Sequence, residues 1–195
     1  AYKKLTGDGS ITVKVDAVQT ASNWTKAGVM IRESLEPLAM QVHMISAARQ
    51  SLVEWMYRGI TNDTTTTQFN TAGGSTPLPV WVRITRAGNV FTGEYSTNGT
   101  TWSKITQSGG TTSSITLMMP ASIYVGFVVC SQAVGVSAVA QFSEVKTTGN
   151  VTGQWQTADV GITHPGNDPD QLYVVLQDST GKNATVSHPD GVNAV

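Results

Sequence analysis

The sequence predicts an all-β chain, an antiparallel β-sandwich with a partial second β unit at its C-terminal end. Three observations carry this. Apolar and polar residues alternate with a period of two in segment after segment. Turn signals fall between these segments at intervals of about ten residues. Helix signals are nearly absent: "ESLEPL" holds Pro37 and allows one turn at most.

Taken in order, "SITVKVDAV" sets Ile11, Val13 and Val15 against Thr12, Lys14 and Asp16. "AGVMIRES" separates Val29 and Ile31 from Met30 and Arg32, and "AMQVHMIS" separates Val42 and Met44 from Gln41 and His43. "SLVEWMYRG" puts Val53, Trp55 and Tyr57 opposite Glu54, Met56 and Arg58. "TNDTTTT" reads as a loop or a polar edge strand, and "TAGGSTPLP" as a loop. "VWVRITR" sets Val82 and Ile84 against Trp81, Arg83 and Thr85. "NVFTGEYS", "SSITLMM", "IYVGFVVCS" and "VAQFSEVKT" follow. The stretch "VGFVVC" is apolar on both faces and belongs in the middle of a sheet. "AGN" at 87–89 and Asn98-Gly99 are hairpin turns, because Gly and Asn tolerate positive φ.

The texture changes after "KTTGN". The expected division is a sandwich over residues 1–148 and part of a second β-sandwich over 151–195, where "QLYVVLQD" and "NATVSHPD" flank the turn "STGK". About 45 residues are too few to bury a core alone, so this tail needs the first unit, another chain or further sequence.

Composition narrows the function. Hydrophobic residues make up 39% and charged residues 13%, too apolar for a disordered chain. A net charge of −1 gives no general basic surface for nucleic acid. No run approaches the roughly 18 apolar residues of a membrane helix. "AYKKLTGDGS" has no apolar core of a signal peptide. The lone Cys130 can form no internal disulfide and reads as a buried thiol. Sequons begin at Asn23, Asn62, Asn98, Asn150 and Asn183, and matter only in a host that glycosylates Asn.

"LTGDGSITVKV", "WTKAGVMIRESL", "WVRITRAGNVFTGEYSTNGTTW" and "IYVGFVVCSQ" together resemble a laminin G-like module of the concanavalin A-like lectin/glucanase superfamily, in the version found in large bacterial extracellular proteins. The likeness spans most of residues 5–146. It implies a jelly-roll topology for the sandwich, a secreted or cell-surface setting, further strands before "LTGDGS", and more of a second module after the tail. The superfamily also holds laminarinase-type glycoside hydrolases, which carry paired carboxylates in an E-x-D-x-x-E strand. That spacing is absent. Glu33 and Glu36 precede Pro37 on a loop, and Glu54 and Glu94 are isolated strand residues. His43, His164 and His188 lack metal-ligand spacing, and no G-x-S-x-G elbow occurs. The chain is therefore expected to be non-catalytic and to require no cofactor, with a hydrolase built on an unusual site ranked last among the alternatives.

Sugar recognition remains, since a pyranose stacks its C–H face on an aromatic ring and gives its hydroxyls to polar side chains. Trp81, sharing a face with Arg83, is a candidate platform; Trp102 is either a second platform or a cap over its own hairpin. Trp55 shares a face with Val53 and Tyr57 and reads as core. Arg32, Arg58, Arg83 and His43 stand opposite the apolar residues of their strands. They line one face if those strands are neighbours. They then form either a sugar or acidic-glycan site or a set of ion pairs with Glu54 and Glu94. Asp168 and Asp170 in "GNDPDQ" suit Ca²⁺, or simply an Asx-Pro turn. Two functions follow as expectations. One is a carbohydrate-binding or adhesion module of a larger secreted protein, with a polysaccharide or glycan as partner. The other is a structural subunit that binds copies of itself in a fibre or surface layer.

Overall fold

The computed structural model describes residues 1–66, 71, 76–106 and 110–160 in full, and the backbone of 67–70, 174–176, 186–187 and 193–194. Its strands are β1 (Tyr2–Gln19), β2 (Lys26–Arg32), β3 (Gln41–Ala47), β4 (Leu52–Arg58), β5 (Thr66–Asn70), β6 (Val80–Ala87) and β7 (Val90–Ser96). They continue as β8 (Ser114–Thr116), β9 (Ser122–Cys130), β10 (Val139–Gln156), β11 (Val174–Leu176), β12 (Val186–Ser187) and β13 (Asn193–Ala194). The one helical element among the described residues is a single 3₁₀ turn at Ala48–Gln50.

The described strands form one sheet, antiparallel except where β11 and β12 join β10, curled into two facing layers. Strands β1 and β10, each 18 residues long, belong to both layers. Their first-layer ends pair Tyr2–Thr6 of β1 with β9 and with residues 150–156 of β10. That layer continues β9-β2-β3-β4-β5. The other half of β1, Gly9–Val15, pairs with β6, and β7 and β8 complete the second layer. The two long strands bend together. Gly7 and Gly149 take φ of 77° and 79°, and the register shifts between Thr6 and Gly9. A Cβ on Gly149 would lie 2.1 Å from the carbonyl oxygen of Asp8, so only glycine lets the strands cross this corner.

The alternation read from the sequence sets what faces inward. Leu5, Ile11, Val13, Val15, Val29, Ile31, Val42, Met44, Val53, Trp55, Val82, Ile84, Phe91, Ile123, Val125 and Phe142 form one buried core between the layers. Trp55 is fully buried and packs across the interlayer space on bare backbone: a Cβ on Gly93 of β7 would lie 2.4 Å from its Cε3. Arg86 closes one end of the core, donating to the carbonyls of Gly88, Met119 and Ala121.

The segment "TNDTTTT", open between loop and edge strand, supplies the start of β5. The expected boundary near residue 150 falls inside β10, which runs unbroken to Gln156. The ring of Trp155, beyond that boundary, lies tilted by 33° against Phe127 of β9, 4.7 Å between centroids. Strands β11 and β12 pair with β10 in parallel. Cys130 is exposed, not buried, because it ends β9 on the face away from the core.

Candidate functional site

The outer face of the first layer carries a groove of about 460 Å³. Its floor is built by register. Lys4, Tyr124, Arg32, Gln41 and Arg58 are successive cross-strand partners on β1, β9, β2, β3 and β4. The adjacent row is Tyr2, Gly126, Met30, His43 and Met56. These are the residues that alternation turns away from the core. The loop at 33–40, with Leu35 and Pro37, makes one wall, and the segment 131–138, with Val136, makes another. The ring of Tyr2 meets that of Tyr124 edge-on at 5.4 Å, and Lys4 lies over Tyr124 at 5.7 Å.

Burial makes this floor unusual. Arg32 and Arg58 are 4% and 8% exposed. Arg32 donates to the carbonyls of Ser34 and Glu36 and, at 3.1 Å, to Oε1 of Gln41. Arg58 donates at 3.0 Å to the carbonyls of Pro37 and Ala39 and to the hydroxyl of Thr65. Both thus clamp the 33–40 loop through neutral acceptors. Burial, with the like charge of Arg58 beside it, pushes the Arg32 guanidinium down to about 10. Burial, reinforced by Arg32, Arg58 and Lys26, pushes the His43 imidazole down to about 3, so it is neutral at ordinary pH. Nε2 of His43 and Nε of Arg58 are buried and have no hydrogen-bond partner among the described residues.

The remaining candidates lie on the outer face of the other layer. Arg83 on β6 faces Glu94 on β7 and binds its Oε2 at 3.0 and 2.8 Å. The guanidinium also stacks on Trp102, 4.1 Å from the ring centroid. Trp81 gives its indole N–H to Glu144 at 3.1 Å, with Lys14 over its ring and the turn at Gly99 against its edge. The six residues therefore form two groups on opposite faces. Arg32, His43 and Arg58 meet in the groove, whereas Trp81, Arg83 and Trp102 form a half-buried cluster whose polar groups bind one another or Glu94 and Glu144.

The ion pairs weighed from the sequence divide in the same way. Arg83 pairs with Glu94, while Glu54, on the groove side, pairs with Lys26 at 2.6 Å. Glu54 and Glu94 do not meet, because they sit on outer faces of different layers. Asp168 and Asp170, the candidate calcium loop, lie outside the described residues, as do His164 and His188. Among the described residues, no three His, Cys, Asp or Glu side chains converge as a metal site requires. Nor is any helix there long and apolar enough to cross a membrane.

No protein-family model and no curated protein matches this chain. Solved structures do. A functionally unknown protein from Saccharomyces cerevisiae superposes with a TM-score of 0.56 at 16% identity, covering 77% of this chain and 74% of that one. Chicken galectin 2 aligns with a TM-score of 0.40 at 9% identity, over 76% of this chain and 100% of the galectin. The yeast likeness is one of fold.

Sequence reasoning missed Tyr124 and Tyr2. Tyr124 sits in a run that is apolar on both faces, where alternation gives no side, and Tyr2 lies in a segment not read as a strand. Gln41 was visible as the neighbour of His43 on the polar face.

Proposed function

We propose that this chain is a non-catalytic carbohydrate-binding module of a secreted or cell-surface protein, and that it holds glycan in the groove over β9, β2, β3 and β4. The observation that carries the reading is the pair of cross-strand rows. They place an aromatic ring, a primary amide, a neutral imidazole and two guanidiniums on one walled floor. Tyr124 offers a face for the C–H side of a sugar ring, and the Gln41 amide, which joins Arg32 to the Thr65 hydroxyl, keeps a second N–H and a second oxygen lone pair for its hydroxyls. The volume lies within the roughly 300–1,000 Å³ of small-ligand clefts. Trp81 and Trp102 stand apart from this floor, on the outer face of the other layer, with the Trp81 N–H on Glu144 and the Arg83 guanidinium on the Trp102 ring.

The test is binding on a glycan array, repeated with variants whose circular dichroism matches the parent. Tyr124→Ala should weaken any glycan bound by roughly tenfold or more, the scale of one lost stacking ring and its associated contacts. Trp81→Ala should leave it unchanged. The reverse order would move the site to the other layer.

The alternative, a self-associating subunit of a fibre or surface layer, draws on β5 and β8. Each has one strand partner among the described residues, and an unpaired edge invites another chain. Concentration-dependent assembly on a sizing column, with no glycan bound, would favour it.

A further inference from the structure

The groove floor carries two guanidiniums with no ion-pair partner among the described residues. Arg32 and Arg58 are both more than nine-tenths buried, and every acceptor they use is neutral. Among the described residues neither has a carboxylate within ion-pair distance. The acidic groups nearby are engaged elsewhere or stand off. Glu33 acts on Arg32 only from beyond ion-pair distance, and its carboxylate accepts from the Met40 N–H at 2.9 Å and from the Thr61 hydroxyl. Glu54 is bound to Lys26. Asp159 is an exposed residue on the groove wall, and its charge acts on the amino group of Ala1. His43 between the two arginine-bearing strands adds no charge, only an unpartnered Nε2.

Two buried like charges without a counter-ion are costly, because the low-dielectric surroundings strengthen their repulsion and deprive them of water. A structural clamp on loop carbonyls would work with any neutral donor. Two guanidiniums at the base of a groove instead create a positive potential focused between its apolar walls.

We propose that the groove selects acidic glycans, with the carboxylate of a uronate-type sugar seated over Arg32, Gln41, His43 and Arg58. This rests on the groove being the glycan site. The ligand carboxylate supplies the missing counter-charge, and Tyr124 takes the apolar face of the same or the adjoining ring.

The experiment uses the full chain and two matched probes, an oligogalacturonate and its methyl ester, alongside an array of neutral oligosaccharides. The free acid should bind roughly tenfold more tightly than the ester, as a charge-assisted contact does. That advantage should shrink when salt rises from about 20 to about 500 mM. Arg58→Gln should remove the preference for the acid, and Arg58→Lys, which keeps the charge, should retain it. If Arg58→Gln fails to fold, the acid-against-ester comparison on the parent chain still decides. Equal binding of acid and ester, or binding of neutral glycans only, overturns the inference while leaving a glycan site in place. Binding of no saccharide overturns both.

Discussion

Arg32 and Arg58, on strands separated by β3, both drive their guanidinium groups into the carbonyls of one loop, residues 33–40. The wall of the groove therefore depends on its floor. Arg58→Ala should strand the carbonyls of Pro37 and Ala39 and destabilise the fold by about 2–4 kcal/mol. Urea unfolding measures this. Hydrogen exchange at the Ala39 amide, which donates to Glu36, should quicken as the loop loosens. An unchanged midpoint with unchanged exchange would show that the loop holds itself.

Trp55→Ala should cost about 3–5 kcal/mol, as removal of a fully buried large side chain does. Gly93→Ala tests the same contact from the other layer. Its Cβ would intrude to within 2.6 Å of two indole carbons, so the two layers must part or Trp55 must turn. A loss of about 1–3 kcal/mol is expected for this overpacking. Thermal unfolding of both variants settles the matter, and a neutral Gly93→Ala would mean the layers are not in contact there.

How far the sequence carried these conclusions differs between core and groove. Alternation alone turned Val53 and Trp55 inward and Arg32, His43 and Arg58 outward, because period two is a local property of a strand. Strand order is not local. Nothing in "VWVRITR" says that β6 pairs with β1 in the second layer, so Arg83 was grouped with arginines from which the core separates it. The ends of the long strands were hidden for another reason. "LTGDGS" and "KTTGN" show no apolar alternation, yet their glycines are the corner at which β1 and β10 pass from one layer to the other. The groove floor needs that corner, since it carries Tyr2 and Lys4 into the first layer.

Gly149→Ala should accordingly be among the most damaging single substitutions outside the core. It adds a Cβ at positive φ, 2.1 Å from the Asp8 oxygen. A loss of at least about 2 kcal/mol is expected from strain and the broken corner. A control at Gly110, also at positive φ but with open space around its Cβ, separates backbone strain from collision. Equal effects at the two sites would mean that the corner does not constrain the strands.

His43 predicts a pH dependence of stability. Its folded pKa, about 3, lies below the ordinary 6.5. The unfolded chain therefore binds a proton that the folded chain refuses. The contribution is complete above pH 6.5 and is lost as pH falls through 6.5 toward about 3, by at most about 1.4 kcal/mol per unit. His43→Gln should flatten the profile between about pH 6 and 4 relative to the parent, which cancels groups common to both. Parallel profiles for parent and variant would place the imidazole in water.

If the outer face of the first layer is the binding face, titration of the labelled chain with an oligogalacturonate will show it in the backbone amide shifts. Perturbations should concentrate at residues 30–32, 41–43, 58 and 124–126, with those at 81–83, 94 and 102 unmoved. Shifts centred on Trp81, Arg83 and Trp102, with the groove silent, would contradict it.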